Sequence, residues 1–115
     1  MSAPLLVEHR DGCDWVTLNR PDALNSLNPE MIAALNDYFE ALRHNRKTRV
    51  VVLRGAGRAF CAGLDIKDAM TRREHRAAES SVQDSLDSQR AIADIVMRMR
   101  RCPQPIVALI NGAAA

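Results

Sequence analysis

A chain of 115 residues with 47% apolar and 26% charged side chains has the size and balance of one globular domain able to bury a core. Its 16 Lys and Arg stand against 14 Asp and Glu, a net charge of +2 that gives no argument for a nucleic-acid partner. The aromatics Trp15, Tyr38, Phe39 and Phe60 are scattered, so they build no base-stacking platform. Cys13, Cys61 and Cys102 are odd in number, far apart and without a Cys-x-x-Cys pair, which points to neither a zinc site nor a disulfide framework and suits a reducing cytoplasm. Met1 to Pro4 runs into an apparent strand without a signal-peptide core, and no apolar run approaches the roughly 18 residues of a membrane span. A cytoplasmic protein with no membrane partner is expected.

Leu5 to Val7 and Cys13 to Leu18 read as two strands joined at Asp11-Gly12, a dipeptide that favours a tight hairpin. Asn19-Arg20-Pro21-Asp22 breaks the second strand, because proline has no N–H for a ladder. Asn28-Pro29-Glu30 then carries three helix-start signals: a capping side chain, proline at the first position and an acid at the positive end of the dipole. Met31, Ile32, Leu35, Tyr38, Phe39 and Leu42 recur at helical spacing, and Arg43, His44, Arg46 and Lys47 crowd the far end as a solvated basic cluster.

Val50 to Leu53 is continuously apolar, which predicts a central parallel strand covered on both faces. Residues 67–82 are highly charged and poor in large apolar side chains, the composition of a mobile loop. A helix with Val82, Leu86, Ile92, Ile95, Val96 and Met99 as its buried stripe follows, ending before Pro103. Ile106 to Ile110 is predicted to be a second buried strand, leading into Asn111-Gly112. The strand-helix-strand rhythm thus occurs twice, and the fold class is α/β.

Arg58 to Lys67 is the centre of the chemistry, delivered by the Val50 strand through the turn Gly55-Ala56-Gly57. That turn suggests nucleotide binding, but Phe60 stands where the dinucleotide fingerprint needs its third glycine, and no P-loop Gly-Lys-Ser/Thr follows. Cys61 has no histidine at a spacing that would activate it, since His9, His44 and His75 lie elsewhere. It is expected to be a small buried packing residue, and all three histidines to be solvated. No metal-ligand spacing links them. What remains is backbone. Gly63 permits unusual φ and close approach of a ligand. If Asp65 caps a helix, the neighbouring Leu64 N–H is free to point outward. Spacing alone leaves an ordinary strand–helix turn and a donor site both open.

The stretch Gly55-Ala56-Gly57-Arg58-Ala59-Phe60-Cys61-Ala62-Gly63-Leu64-Asp65-Ile66-Lys67 resembles the signature of the crotonase (enoyl-CoA hydratase/isomerase) superfamily. Leu18 to Pro21 through Asn25-Ser26-Leu27, Arg49 to Leu53, and Pro105 to Gly112 match it in order and spacing. The resemblance implies a crotonase-like ββα superhelix, of which residues 1–115 would be the N-terminal part of a single domain, stopping before the C-terminal helical region. It implies an acyl-CoA thioester substrate, with coenzyme A as part of the substrate and no separate cofactor or metal. By the same resemblance the Leu64 N–H is one oxyanion-hole donor, and Asp22, Ala23, Leu24, Ala62, Gly63, Leu64, Asp65 and Ile66 line the CoA and acyl pocket. Lys67 and the arginines after it are candidates for phosphate contact, against the simpler reading of solvated charge.

The family's second donor turn, its acidic residues and the helices that build trimers or hexamers would lie beyond Ala115. The expected activity of the longer parent is hydration of a 2-enoyl-CoA, with this stretch inactive alone. The alternatives are enoyl-CoA isomerisation, thioester hydrolysis, dehalogenation or ring-forming synthesis on the same half-site, and a non-catalytic acyl-CoA-binding subunit. A nucleotide-binding Rossmann domain is the remaining option.

Overall fold

In a computed structural model the described residues are 3–63 and 78–114. Strands β1 (Leu5–Arg10) and β2 (Cys13–Leu18) form an antiparallel hairpin in which Leu5 faces Leu18 and Arg10 faces Cys13. The connection is the expected two-residue turn, with Asp11 at φ 52° and Gly12 at φ 81°. Two consecutive positive φ values match the right-handed twist of the flanking strands.

Helix α1 (Pro29–Leu42) begins as the sequence predicts: the Asn28 side chain accepts from the Met31 N–H at 2.9 Å, and Pro29 occupies the first turn. At the other end Gln104 donates to the carbonyls of Leu42 (3.0 Å) and Asn45 (2.9 Å), satisfying acceptors the helix leaves open. Strand β3 (Val50–Gly55) returns parallel to β2, and β5 (Ile106–Leu109) lies parallel to β3. The four-stranded sheet therefore has the order β1-β2-β3-β5. Between β3 and β5 the chain contributes the short strand β4 (Ala59–Cys61) and helix α2 (Ala78–Arg101), and after β5 it forms β6 (Ala113–Ala114), which pairs parallel with β4. Most of the segment 67–82 lies outside the described residues, and its last part, from Ala78, is the first turn of α2.

The core lies on one face of the sheet. Val16 and Leu18 of β2 and Val51 and Leu53 of β3 pack with Met31, Ile32, Leu35, Phe39 and Leu42 of α1 and Ile95 of α2. Each aliphatic side chain so buried contributes on the order of 1.5–3 kcal/mol. The opposite face carries Trp15, with the guanidinium carbons of Arg10 and Arg54 at 5.3 and 5.0 Å from its ring, beside exposed Leu6, Val107 and Leu109.

This one-sidedness corrects two expectations. Val50 and Val52 are only partly buried, because α1 and α2 cover one face of β3 alone. Strand β5 is exposed at Val107, Ala108 and Leu109: among the described residues it is an edge strand, and only its Ile106 packs against the core. The stripe of α2 is also narrower than its periodicity suggests. Ile95 is buried and Ala91, Ile92 and Met99 pack against the core, whereas Leu86 and Val96 are about half exposed. Contacts from Asn36 to Ala91 and from Glu40 to Arg98 register α1 against α2, and Val96 points away from that seam.

His9 is not simply solvated. Its Nδ1 lies 2.7 Å from Oδ1 of buried Asp14, whose Oδ2 accepts from the Tyr38 hydroxyl at 2.6 Å. Burial alone would raise the Asp14 pKa, but hydrogen bonds from Tyr38, His9 and Thr48 prevail and hold it below the ordinary aspartate value. Burial and the adjacent carboxylate push the Tyr38 phenol well above its usual range. Because the folded-state pKa of Asp14 is depressed, its contribution to stability is complete above the unfolded value near pH 4 and disappears as pH falls through the folded one.

Two outcomes follow. The stability deficit of Asp14→Asn, measured by urea denaturation, is expected to be constant from pH 7 to about 5 and to shrink below about pH 4. Asn28→Ala is expected to lower stability by about 1 kcal/mol through loss of the cap, with no change in denaturant slope.

Candidate active site

After β2 the chain makes a single 3-10 turn, Pro21–Ala23, then passes through two consecutive left-handed residues, Leu24 (φ 53°) and Asn25 (φ 56°). Asparagine tolerates this conformation; leucine adopts it at a cost of order 1–3 kcal/mol that the surroundings must offset. The Leu24 N–H donates to Pro21 O at 3.1 Å and the Asn25 N–H to Arg20 O at 2.8 Å. Arg20 spans the base of the loop, its Nη1 donating to Ser26 O at 2.6 Å. Asn25 is wholly buried: its Oδ1 accepts from the Arg20 N–H at 2.7 Å, and its Nδ2 donates to Ala56 O and Ala59 O, both at 2.9 Å.

The strain at Leu24 aims its carbonyl across the site. Leu24 O accepts from the Ala62 N–H at 3.0 Å, and Gly63 O accepts from the Leu27 N–H at 2.6 Å. Five of the sequence-predicted site residues are thereby assembled: Asp22, Ala23 and Leu24 on one strip of backbone, Ala62 and Gly63 on the other. Gly63 has φ 86°, the left-handed region that glycine enters at little cost. Leu64, Asp65 and Ile66 lie outside the described residues. Cys61 is buried beneath the strip and joins the core, as its expected packing role requires.

A third strand of backbone reaches the same place. In the β4–β6 pair Ala59 faces Ala113 and Cys61 faces Ala114, so the two chains leave in the same direction. Asn111 ties the approach to β6 down by donating from Nδ2 to Gly55 O (3.2 Å) and Gly57 O (2.6 Å). A Cβ on Gly112 would overlap the Arg58 carbonyl oxygen, so only glycine lets the two segments come this close. The site is built of main-chain groups. Among the described residues no three His, Cys, Asp or Glu side chains group as metal ligands, and no helix is long and apolar enough to cross a membrane.

Sequence reasoning did not single out Asn25 or Asn111 as structural anchors. Each sat inside a stretch that resembled the family, but a lone asparagine in a loop carries no signal of which distant carbonyl it will meet.

Paired parallel strands, a strained loop and a glycine turn meeting at one end define a crotonase-type fold. The chain belongs to the enoyl-CoA hydratase/isomerase family, whose sequence profile matches residues 13–114. It is 35% identical over 111 residues to a Mycobacterium bovis protein named "Probable enoyl-CoA hydratase echA12", covering 96% of this chain and 39% of the relative. It is likewise 35% identical over 104 residues to the 1,2-epoxyphenylacetyl-CoA isomerase of Escherichia coli, covering 90% and 38%. Among solved structures, Pseudomonas aeruginosa AtuE superposes with a TM-score of 0.85 at 36% identity, over 96% of this chain and 41% of that one. The chain thus spans about two fifths of the length of the curated relatives it matches.

Gly112→Ala is expected to separate β6 from β4 and to lower stability by about 1–3 kcal/mol, the usual cost of overpacking. Loss of amide-exchange protection confined to those two strands would check it.

Proposed function

We propose that the parent protein acts on acyl-CoA thioesters, and that its reaction is the hydration of a 2-enoyl-CoA. The observation that carries this reading is the convergence of the Asp22–Leu24 loop, the Ala62–Gly63 strip and the β4–β6 pair on one place in the fold. A relative named as a hydratase and the family match support it.

In this reading the thioester carbonyl sits between two main-chain donors. One is the N–H of Leu64, directly after Gly63; the other follows β6, beyond residue 115. As water adds at Cβ, negative charge develops on the thioester oxygen, and two preorganised N–H groups stabilise that enolate more than they stabilise the ground state. Proton movement at Cα and Cβ falls to acidic side chains, a glutamate foremost, in the part of the parent beyond this chain. Asp22, Ala23, Leu24, Ala62, Gly63, Leu64, Asp65 and Ile66 together line the pocket for CoA and the acyl group. Coenzyme A enters as part of the substrate, so neither a separate cofactor nor a metal is required. Three cysteines without disulfides accord with a cytoplasmic setting, and a trimer or hexamer is the proposed assembly of the full-length protein.

The second reading is isomerisation of an enoyl- or epoxy-acyl-CoA on the same half-site. It is favoured by the relative named 1,2-epoxyphenylacetyl-CoA isomerase, as similar to this chain as the hydratase is.

The full-length protein is expected to bind 2-enoyl-CoA in isothermal calorimetry; absence of binding sinks the proposal. Leu64→Pro, which deletes one donor, should lower kcat by at least about 10²–10³-fold. Arg43→Ala, at the exposed end of α1, should leave it unchanged. Hydrated product identified by mass spectrometry separates hydratase from isomerase.

A further inference from the structure

Four carbonyl oxygens of the Gly55–Ala59 turn are held by two side-chain amides that come from opposite ends of the chain. Asn25 Nδ2 donates to Ala56 O and Ala59 O, at 2.9 Å each. Asn111 Nδ2 donates to Gly55 O at 3.2 Å and to Gly57 O at 2.6 Å. The two sets interleave along the turn. An asparagine amide carries two N–H groups on a short stem, so one side chain can bind two carbonyls at once. Aspartate has no such donors when ionised, and serine has one.

These two residues sit at the roots of the two segments that flank the Ala62–Gly63 strip. Asn25 directly follows Leu24, whose carbonyl meets the Ala62 N–H, and Asn111 lies two residues before β6. We propose that Asn25 and Asn111 are positioning residues: a clasp around the Gly55–Ala59 turn that fixes the Asp22–Leu24 loop and the β6 exit relative to Gly63. The turn is the common reference, so displacing either amide shifts one of the two flanking segments and leaves the other in place. The consequence for catalysis rests on the acyl-CoA reading given above; the clasp itself does not.

The two halves differ in solvent access. Asn25 is wholly buried and Asn111 is exposed. Replacing Asn25 removes the donor from the buried Ala59 carbonyl and from the partly buried Ala56 carbonyl, whereas water can replace Asn111. Asn111→Asp is therefore the variant that keeps the fold, and Asn25→Ser, which retains one donor, is its partner.

The experiment uses the full-length protein and two measurements, steady-state kinetics with a 2-enoyl-CoA and amide hydrogen exchange without substrate. Asn111→Asp is expected to lower kcat about 10²-fold with KM little changed, as a displacement of about 1 Å at a reacting centre does. Exchange should accelerate in β4 and β6 and stay slow in α1. Asn25→Ser is expected to accelerate exchange at the Ala62 and Leu27 amides, again with α1 unaffected. Asn111→Ser, with one donor restored, should recover part of the lost kcat. Unchanged kcat and unchanged exchange in Asn111→Asp overturn the proposal, as does a fall in kcat matched by uniform loss of protection throughout the chain. If the wild-type protein neither binds nor converts the enoyl-CoA, the substrate reading fails, while local acceleration in the two variants still establishes the clasp.

Discussion

Carbonyl groups taken out of water must find donors, and the arrangement of the candidate site follows from how the turn between β3 and β4 meets that demand. Glycines at 55 and 57 allow the chain to double back tightly, with Gly57 at φ 80°, but a turn so compact cannot satisfy its own acceptors. Asn25 supplies two of the missing donors, one of them to the buried Ala59 carbonyl, which left unmet would cost about 1–3 kcal/mol. To reach them the preceding loop must pass through left-handed Leu24, and that conformation turns the Leu24 carbonyl onto Ala62. One requirement for hydrogen-bond partners thus determines the loop's conformation, its strain and its contact with the strip that leads to Leu64.

The sheet supplies the frame. Parallel pairing of β2, β3 and β5 makes each of these strands end on the same side of the molecule, and all the candidate site segments emerge there. The His9–Asp14–Tyr38 group stands at the other end, at the start of β2 and beside the end of α1. It joins the hairpin to the helix and takes no part in the candidate site. The candidate site and this anchoring group thus lie at opposite ends of the strands, a common arrangement in which loops are held on a rigid scaffold.

Local signals were legible in the sequence wherever the chemistry is local. Asp11-Gly12 needs two positive φ values and announces them; Asn28-Pro29-Glu30 holds a cap, a fixed φ and a charge within three residues. The burial of Cys61 was likewise readable from its apolar, small-residue neighbourhood. Non-local choices left no trace. Nothing adjacent to Leu24 marks it as left-handed, because the reason lies at Ala56 and Ala59, more than thirty residues away along the chain. His9 looked solvated because its partners, Asp14 and Thr48, meet it only after the hairpin and β3 are in place. Apolar composition at Ile106 to Leu109 promised burial, yet exposure depends on how many neighbours a strand acquires, which composition does not encode. The family resemblance pointed to a candidate site where periodicity could not, since most of its residues offer backbone rather than reactive side chains.

The strand order β1-β2-β3-β5 is also the order in which these strands occur along the chain. A sheet arranged this way can assemble in the direction of synthesis. The hairpin closes over a two-residue turn within microseconds, β3 docks once α1 has been made, and β5 adds once α2 has been made, each onto an edge already present. At every stage the newest strand forms one edge of the sheet and β1 the other, and no earlier pairing has to open to admit the next. Strand β5, with Val107 and Leu109 about half exposed, is the last of these strands to be synthesised and the last to be added to the sheet.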